Sequence, residues 1–176
     1  MNLRYFAALG GGARQHLDRV GIGARLPHQL AKRIRLQAFF HEAYAITARE
    51  GPQSLNELAE LMPLDTPADV QVWLRRLEGL PGYLAQFQAL LTEAVARGHT
   101  QPRFLMERVL APLDAQLVDD PTASPFFSAF HALPASWPEA EALREAATAV
   151  IREQVVPANR RFRAFFAEHY LSACRE

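Results

Sequence analysis

The chain has 176 residues, a length typical of one domain. Nineteen basic residues balance nineteen acidic ones, which argues against nucleic acid or an anionic membrane as a partner. Hydrophobic residues make up 49% of the chain, enough for a core, and the single cysteine, Cys174, excludes a disulfide within the chain.

No apolar run reaches the roughly 18 residues that a membrane-spanning helix needs. The first residues make a poor signal peptide, because Gly10, Gly11 and Gly12 interrupt their short apolar patch. A lone cysteine also fits a reducing compartment. We therefore expect a soluble, cytoplasmic protein without a membrane partner.

The hydrophobic spacing predicts helices and shows no strand-like alternation. Glycines recur between residues 1 and 25 and indicate a loosely structured lead-in, since glycine disfavours helix. A helix is then predicted from Leu26 to Glu50. Ser54 and Glu57 have the spacing of a capping box and predict a short helix that ends near Met62.

The middle of the chain predicts three consecutive helices. Thr66-Pro67-Ala68-Asp69 has the residues of a helix start. Gly79-Leu80-Pro81-Gly82 either joins the first helix to the second or only kinks one continuous helix. Gly98 ends the second helix as a left-handed cap, and Pro112 bends or closes the third. The apolar stripes should form one core of Trp73, Leu77, Leu84, Phe87, Leu91, Leu105, Val109 and Leu113.

Residues 119–134 have a loop-like composition, although their three phenylalanines must pack somewhere. Ser136 and Glu139 again have capping-box spacing, and a helical pattern continues from there to Leu171 with Pro157 in its middle. The predicted fold class is therefore all-α, a multi-helix array with a long, Pro-kinked C-terminal helix.

His41-Glu42 is the most suggestive pair for catalysis. A zinc peptidase needs histidines at i and i+4 of one helix, with Glu after the first as the general base. Here the second position is Ala45, so one imidazole lacks the partner that a tetrahedral zinc site requires. We interpret the segment as a polar helix face.

The other reactive side chains form no recognisable site. Cys174 has no histidine motif or helix N-terminus beside it that would activate the thiol. The remaining histidines lack ligand spacing: His16, His28, His99, His131 and His169. Because the charge sums to zero, solvated helix faces explain the basic clusters Lys32-Arg33-Arg35, Arg75-Arg76 and Arg160-Arg161-Arg163. We assign no catalytic, cofactor-binding or metal-binding residue.

From about Gly51 to the end, four segments resemble the bacterial domain of unknown function 885 family in order and spacing. They are Gly51-Pro52-Gln53, the run TPADVQVWLRRLEGLPGYLAQFQALLTEAVARGHTQPRFLMERVL, Ser124-Pro125-Phe126 and the ending VVPANRRFRAFFAEHYLSACR. The resemblance implies a largely helical protein similar to zinc-dependent peptidases, with an HExxH-type motif in the C-terminal half of a longer family fold.

No residue of this chain matches those zinc ligands or the catalytic Glu. Residues 1–176 are expected to be a single helical domain, an incomplete part of the family fold that is non-catalytic and inactive alone, with zinc only in the missing C-terminal half. A catalytic half on another chain, or self-association, would use exposed apolar helix faces, with Phe162, Phe165, Phe166 and Tyr170 as candidates. The alternatives are a stand-alone helical protein-interaction module and an enzyme with an unrecognised site.

Overall fold

The structure of the protein is a computed structural model that describes residues 46–62 and 64–176. The α-helices there are α1 (Pro67–Ala96), α2 (Arg103–Met106), α3 (Leu110–Ala115), α4 (Ser128–His131), α5 (Ala140–Val150) and α6 (Val156–Phe165). The 3-10 helices are Pro52–Leu61, Glu107–Val109, Pro121–Ala123, Pro125–Phe127 and Leu171–Ala173, and the π-helical segments are Ile151–Val155 and Phe166–Tyr170. The all-α prediction is confirmed. The predicted lead-in over residues 1–25 lies outside the described residues, and the single-domain prediction stays a prediction.

The first described residues form a turn. The predicted helix from Leu26 was wrong in extending to Glu50, because residues 46–50 have no helical turn. Thr47 closes the turn instead: its Oγ1 accepts a hydrogen bond from the Glu50 N–H at 2.8 Å, and its own N–H donates to Glu50 O at 3.0 Å. Gly51 follows with a φ of 146°, a conformation that favours glycine.

The short helix after this turn is a 3-10 helix, Pro52–Leu61, and it starts before the predicted capping box. Ser54 therefore lies inside the helix, where its hydroxyl donates to Gly51 O at 3.1 Å. The capping box expected for Ser54 and Glu57 does not form, and the N-cap is Gly51 without a side-chain bond. Proline at the first helical position suits this earlier start.

Helix α1 begins as predicted and continues further than the three-helix prediction allowed. Thr66 and Asp69 make a reciprocal capping box, and the helix then runs for 30 residues straight through Pro81. Leu77, Leu80 and Leu84 are buried on both sides of the proline. Because α1 packs against α5 and α6 along this stretch, tertiary packing offsets the lost hydrogen bond. The continuous-helix alternative is the correct one.

The C-terminus of α1 confirms the predicted glycine cap. Gly98 has a φ of 70°. The His99 N–H donates to Ala94 O at 2.8 Å and the Gly98 N–H to Val95 O at 3.0 Å, the two bonds of a Schellman motif. The next helical stretch changes from α2 through a 3-10 turn to α3, which contains Pro112. A tightened turn before a proline is an ordinary way to accommodate its missing N–H.

The loop-like stretch before α5 packs as expected. Phe126, Phe127 and Phe130 are all buried, and the indole N–H of Trp73 donates to Phe126 O at 3.3 Å. The predicted capping box at Ser136 and Glu139 is wrong, because α5 starts at Ala140 with Glu139 as an N-cap that makes no side-chain bond. Arg144 holds the loop instead, donating to Phe130 O at 3.2 Å and Leu133 O at 2.9 Å.

The long C-terminal helical stretch is confirmed, and it passes through Pro157. This proline is the second residue of α6, directly after the π-helical segment Ile151–Val155. Pro157 has no backbone N–H to donate to the preceding turn. The wider π turn shifts the hydrogen-bonding pattern of the backbone at this point. A second π-helical segment, Phe166–Tyr170, follows α6. The sequence pattern did not predict either π segment.

The predicted central core is confirmed. Trp73, Leu77, Leu84, Leu91, Val109 and Leu113 are buried, and Phe87 and Leu105 pack against them while partly exposed.

The predicted exposed patch at the C-terminus is wrong. Phe162, Phe166 and Tyr170 are buried, and Phe165 is half-buried against the core. Their helix turns this aromatic stripe toward α1, where the Phe162 ring meets Phe87 edge to face at 6.1 Å. The stripe is therefore part of the interior.

Candidate functional site

The described histidines lie on separate elements. His131 is exposed, with its Nε2 at 2.9 Å from Thr122 O and its ring 4.9 Å from that of Phe127. His169 is exposed with its ring 5.8 Å from that of Phe165, and His99 follows the C-terminus of α1. His16, His28 and the His41-Glu42 pair lie outside the described residues.

The zinc site that the family resemblance implies does not fit the described part of the chain. Over residues 46–62 and 64–176, no three His, Cys, Asp or Glu side chains lie close enough to hold a metal ion together. A structural or catalytic zinc needs at least three such protein ligands. No catalytic step can be derived through a metal at these residues.

The buried Tyr170 and Cys174 are neighbours at the end of the chain. Burial raises the pKa of Tyr170 to about 12, with the nearby thiol as a further cause. Burial also raises the pKa of the Cys174 thiol, which donates to Tyr170 O at 3.3 Å. Both shifts favour the neutral, less nucleophilic forms. Tyr170 and Cys174 therefore contribute to packing.

Within the described residues, the arginines of the basic clusters differ in their partners. Arg163 donates to both carboxylate oxygens of Asp114, at 2.7 and 3.1 Å, and this pairing raises the pKa of Arg163. Arg75 and Arg76 are exposed on α1. Lys32-Arg33-Arg35 lies outside the described residues. The interpretation of Arg75-Arg76 as a solvated helix face agrees with this exposure.

An apolar groove, here called the Leu61 groove, lies between the Pro52–Leu61 3-10 helix and the first turns of α1. Its volume is about 320 Å³, and it is lined by Leu58, Leu61, Met62, Asp69, Val72 and Arg76. Leu61 is 80% exposed and Val72 is 36% exposed, so the apolar lining is open to solvent. The sequence pattern did not single out these two side chains.

The two charged residues of the Leu61 groove differ in their partners. The Oδ2 of Asp69 accepts hydrogen bonds from the N–H and the hydroxyl of Thr66, at 3.0 and 2.6 Å. The Oδ2 atom therefore takes part in the cap of α1. Arg76 has neither an ion pair nor a hydrogen bond from its side chain within the described part of the chain. The groove thus combines apolar walls with one carboxylate and one guanidinium.

Buried amides fix the neighbouring elements. The Nε2 of Gln116 donates to Gln53 O at 2.9 Å and lies 3.2 Å from the Oδ1 of Asn56, which ties the region after α3 to the Pro52–Leu61 helix. Asn159 in α6 is fully buried, and its amide atoms have no hydrogen-bond partner among the described residues. A buried polar group without a partner costs about 1–3 kcal/mol. Sequence reasoning missed both side chains.

No described helix is long and apolar enough to cross a membrane.

Over the described residues, fold and surface define the class of protein: an all-α helical array with a closed aromatic interior and an open apolar groove beside Leu61. The family model described as "Bacterial protein of unknown function (DUF885)" matches residues 6–176, and the chain belongs to this family. The match begins well before Gly51, where the resemblance seen in the sequence starts. The comparisons with curated proteins and with solved structures gave no match.

Proposed function

We propose that this chain is a non-catalytic helical portion of a protein that resembles zinc-dependent peptidases, and that it is inactive alone. The observation that carries the proposal is the chemistry of the titratable groups inside the helical array. Tyr170 and Cys174 both have pKa values raised by burial, which makes them poorer nucleophiles at neutral pH. A catalytic site would instead shift a buried group toward its reactive form.

The packing of the long helices supports a structural role, although it closes the C-terminal stripe that was the expected surface for a catalytic half. The aromatic side chains at the end of the chain fill the space against α1, and large side chains form one hydrophobic core. Such an interior holds helices in fixed positions. A rigid helical support is what a cleft wall in a larger helical fold requires, and the resemblance to zinc peptidases gives the class of that fold.

The experiment is metal analysis and a peptidase assay on the full 176-residue chain. After exhaustive dialysis we expect less than about 0.1 zinc per chain and no cleavage of an unfolded protein substrate, because a stable zinc site needs three protein ligands. The matched variant is His41→Ala, which should change neither result. One tightly held zinc per chain that is lost on His41→Ala would contradict the proposal.

A stand-alone helical protein-interaction module is the second candidate. The Leu61 groove favours it, because the side chain of Leu61 is 80% exposed. The two candidates make different predictions. An interaction module binds a partner protein by itself, and this binding does not depend on whether any family member is an enzyme.

A further inference from the structure

We infer that the start of α6 is a two-register element. In this movement the π bulge of Ile151–Val155 shifts along the chain past Asn159, which turns Asn159 out of the interior and brings Ala158 into its place. The inference goes beyond the proposed function, because it concerns a movement of the helical array and does not depend on whether the chain is catalytic.

Asn159 is the polar member of an otherwise apolar helix face. Val155, Asn159 and Phe162 follow one another at spacings of four and three residues, so they lie on the same face of the helix. All three are buried, at 0%, 0% and 1% exposure. Neither the Nδ2 nor the Oδ1 atom of Asn159 has a hydrogen-bond partner in the described part of the chain. The present register therefore buries a polar group at a net cost in free energy.

The π segment gives this helix a second register. A π bulge contains one more residue than an α-helical turn, so each residue after the bulge occupies the position that the preceding residue would hold without it. The bond that marks this bulge runs from the Val156 N–H to Ile151 O. If the bulge moves to the next turn, residues 156–159 rotate by about 100° around the helix axis. Ala158 then takes the present position of Asn159, and Asn159 takes that of Arg160.

This exchange of positions suits the side chains. The position of Arg160 is exposed, so the Asn159 amide would reach water there. Ala158 is apolar and is already only 3% exposed. The four residues that move are Val156, Pro157, Ala158 and Asn159, and none of them is charged. The shifted register thus hydrates the buried amide without bringing a charge into the interior.

Pro157 opposes the shift. A proline inside an α-helix lacks an N–H, and its ring clashes with the carbonyl group four residues earlier. In the present register Pro157 directly follows the π segment, as the second residue of α6, and the wider turn relieves the clash. In the shifted register it would lie within an α-helical turn. Two nearby residues therefore favour different registers, Pro157 the present one and Asn159 the shifted one, and this opposition keeps both accessible.

Relaxation-dispersion NMR on the ¹⁵N-labelled full chain detects this movement, because helix register shifts occur in microseconds to milliseconds. We expect exchange broadening at the backbone amides of residues 158–160. Pro157→Ala should raise the shifted population by about tenfold or more, since it removes the clash of an interior proline. Asn159→Leu should abolish the exchange, because no polar side chain then gains from the shift. The matched control is Gln154→Ala, a change at an exposed residue of the same π segment that should leave the exchange unchanged.

A soluble gadolinium chelate shows which way Asn159 turns, because it broadens the resonances of groups close to solvent. The side-chain amide of Asn159 should be protected in the unmodified chain and broadened in Pro157→Ala. The side-chain amide of Asn56, on the Pro52–Leu61 helix, is the internal reference and should behave alike in both proteins. Circular dichroism checks the folding of each variant. If Pro157→Ala does not fold, the comparison of the unmodified chain with Asn159→Leu and Gln154→Ala decides.

Four results would overturn the inference. The first is an absence of exchange at residues 158–160 in both the unmodified chain and Pro157→Ala. The second is exchange that persists in Asn159→Leu or that Gln154→Ala abolishes equally, which would indicate fraying of the segment. The third is an Asn159 amide that stays protected from the chelate in Pro157→Ala. The fourth is a nuclear Overhauser effect from a long-lived water to this amide in a single register, which would mean that the amide is hydrated inside. Zinc content and peptidase activity test the proposed function separately.

Discussion

The aromatic stripe of the C-terminal helix and the Leu61 groove are both apolar, yet one is closed and the other open. Phe162, Phe166 and Tyr170 are at most 1% exposed, whereas Leu61 is 80% exposed. The difference lies in what each region packs against. The stripe faces α1 along its length, while the groove lies beside a 3-10 helix that covers only part of the α1 surface.

The size of an apolar stripe therefore does not reveal whether the stripe is available to a partner. The stripe has four aromatic side chains and was the natural candidate for an interface. Its ring contacts, such as Phe166 with Tyr170 at 5.4 Å, are instead internal. The smaller apolar patch is the one left open, and a carboxylate and a guanidinium border it.

Truncation of one residue from each region should give the largest difference. We expect Phe162→Ala to lower the free energy of unfolding by about 3–5 kcal/mol, because it leaves a cavity in a packed core. Leu61→Ala should change it by less than about 0.5 kcal/mol, since the side chain is mostly solvated. Urea denaturation of both variants measures this. Similar losses in the two would mean that the groove is a closed part of the core.

High pH should have the second-largest effect, by destabilising the aromatic stripe of the C-terminal helix. The folded pKa of Tyr170 is about 12 against an ordinary value of 10.0, so the folded state favours the neutral phenol. The stabilisation is complete below pH 10 and is lost as the pH rises toward 12, by roughly 2 kcal/mol. Denaturation at a series of alkaline pH values measures it.

The matched control for this pH dependence is Tyr170→Phe in a Cys174→Ala background. That background removes the other buried group whose pKa is raised. We expect the alkaline loss to disappear with the hydroxyl, because phenylalanine does not titrate. An unchanged loss in the double variant would show that the stripe is not buried as described.

Much of the fold could be predicted from the sequence, because local signals and packing agree in several places. Thr66 and Asp69 form the expected capping box, and Gly98 has the left-handed conformation that its position indicated. Local signals failed where tertiary packing decided the outcome. Helix propensity alone did not decide whether α1 continues through Pro81. Burial of Leu77, Leu80 and Leu84 keeps the helix continuous there.

The candidate site was less accessible to sequence reasoning. The exposure of Leu61 depends on how far a neighbouring helix reaches, and the position of Arg76 beside the groove depends on how α1 packs. Both are properties of spatial arrangement, so residue spacing could not show them. The same holds for the buried amide of Asn159, which lies on an apolar helix face.

Glycines inside α1 and at its C-terminal cap should show the smallest effects, and α1 borders both regions. Gly98 has a φ of 70°, so Gly98→Ala should lower the free energy of unfolding by about 1 kcal/mol. Gly79 lies inside the helix, and a methyl group there would meet no atom within 4 Å. Gly79→Ala should therefore raise it by about 0.5–1 kcal/mol.

Thermal denaturation of the two glycine variants measures both signs. Gly82→Ala serves as a second helix-interior control, because its added methyl group would also meet open space. Destabilisation by both interior substitutions would contradict a continuous α1 through Pro81. Since the aromatic stripe and the Leu61 groove both lie beside α1, the comparison between them would then lose its basis.

Hydroxyl-radical footprinting of the full chain, with mass spectrometry as the readout, tests the contrast between the two regions most directly. The label reports how much of each side chain meets solvent, and leucine and phenylalanine both react. The structure predicts strong modification of Leu61 and protection of Phe162 and Phe166, in line with exposures of 80%, 1% and 0%. Strong modification of the two phenylalanines together with protection of Leu61 would contradict the account, because the open apolar face would then be the C-terminal stripe.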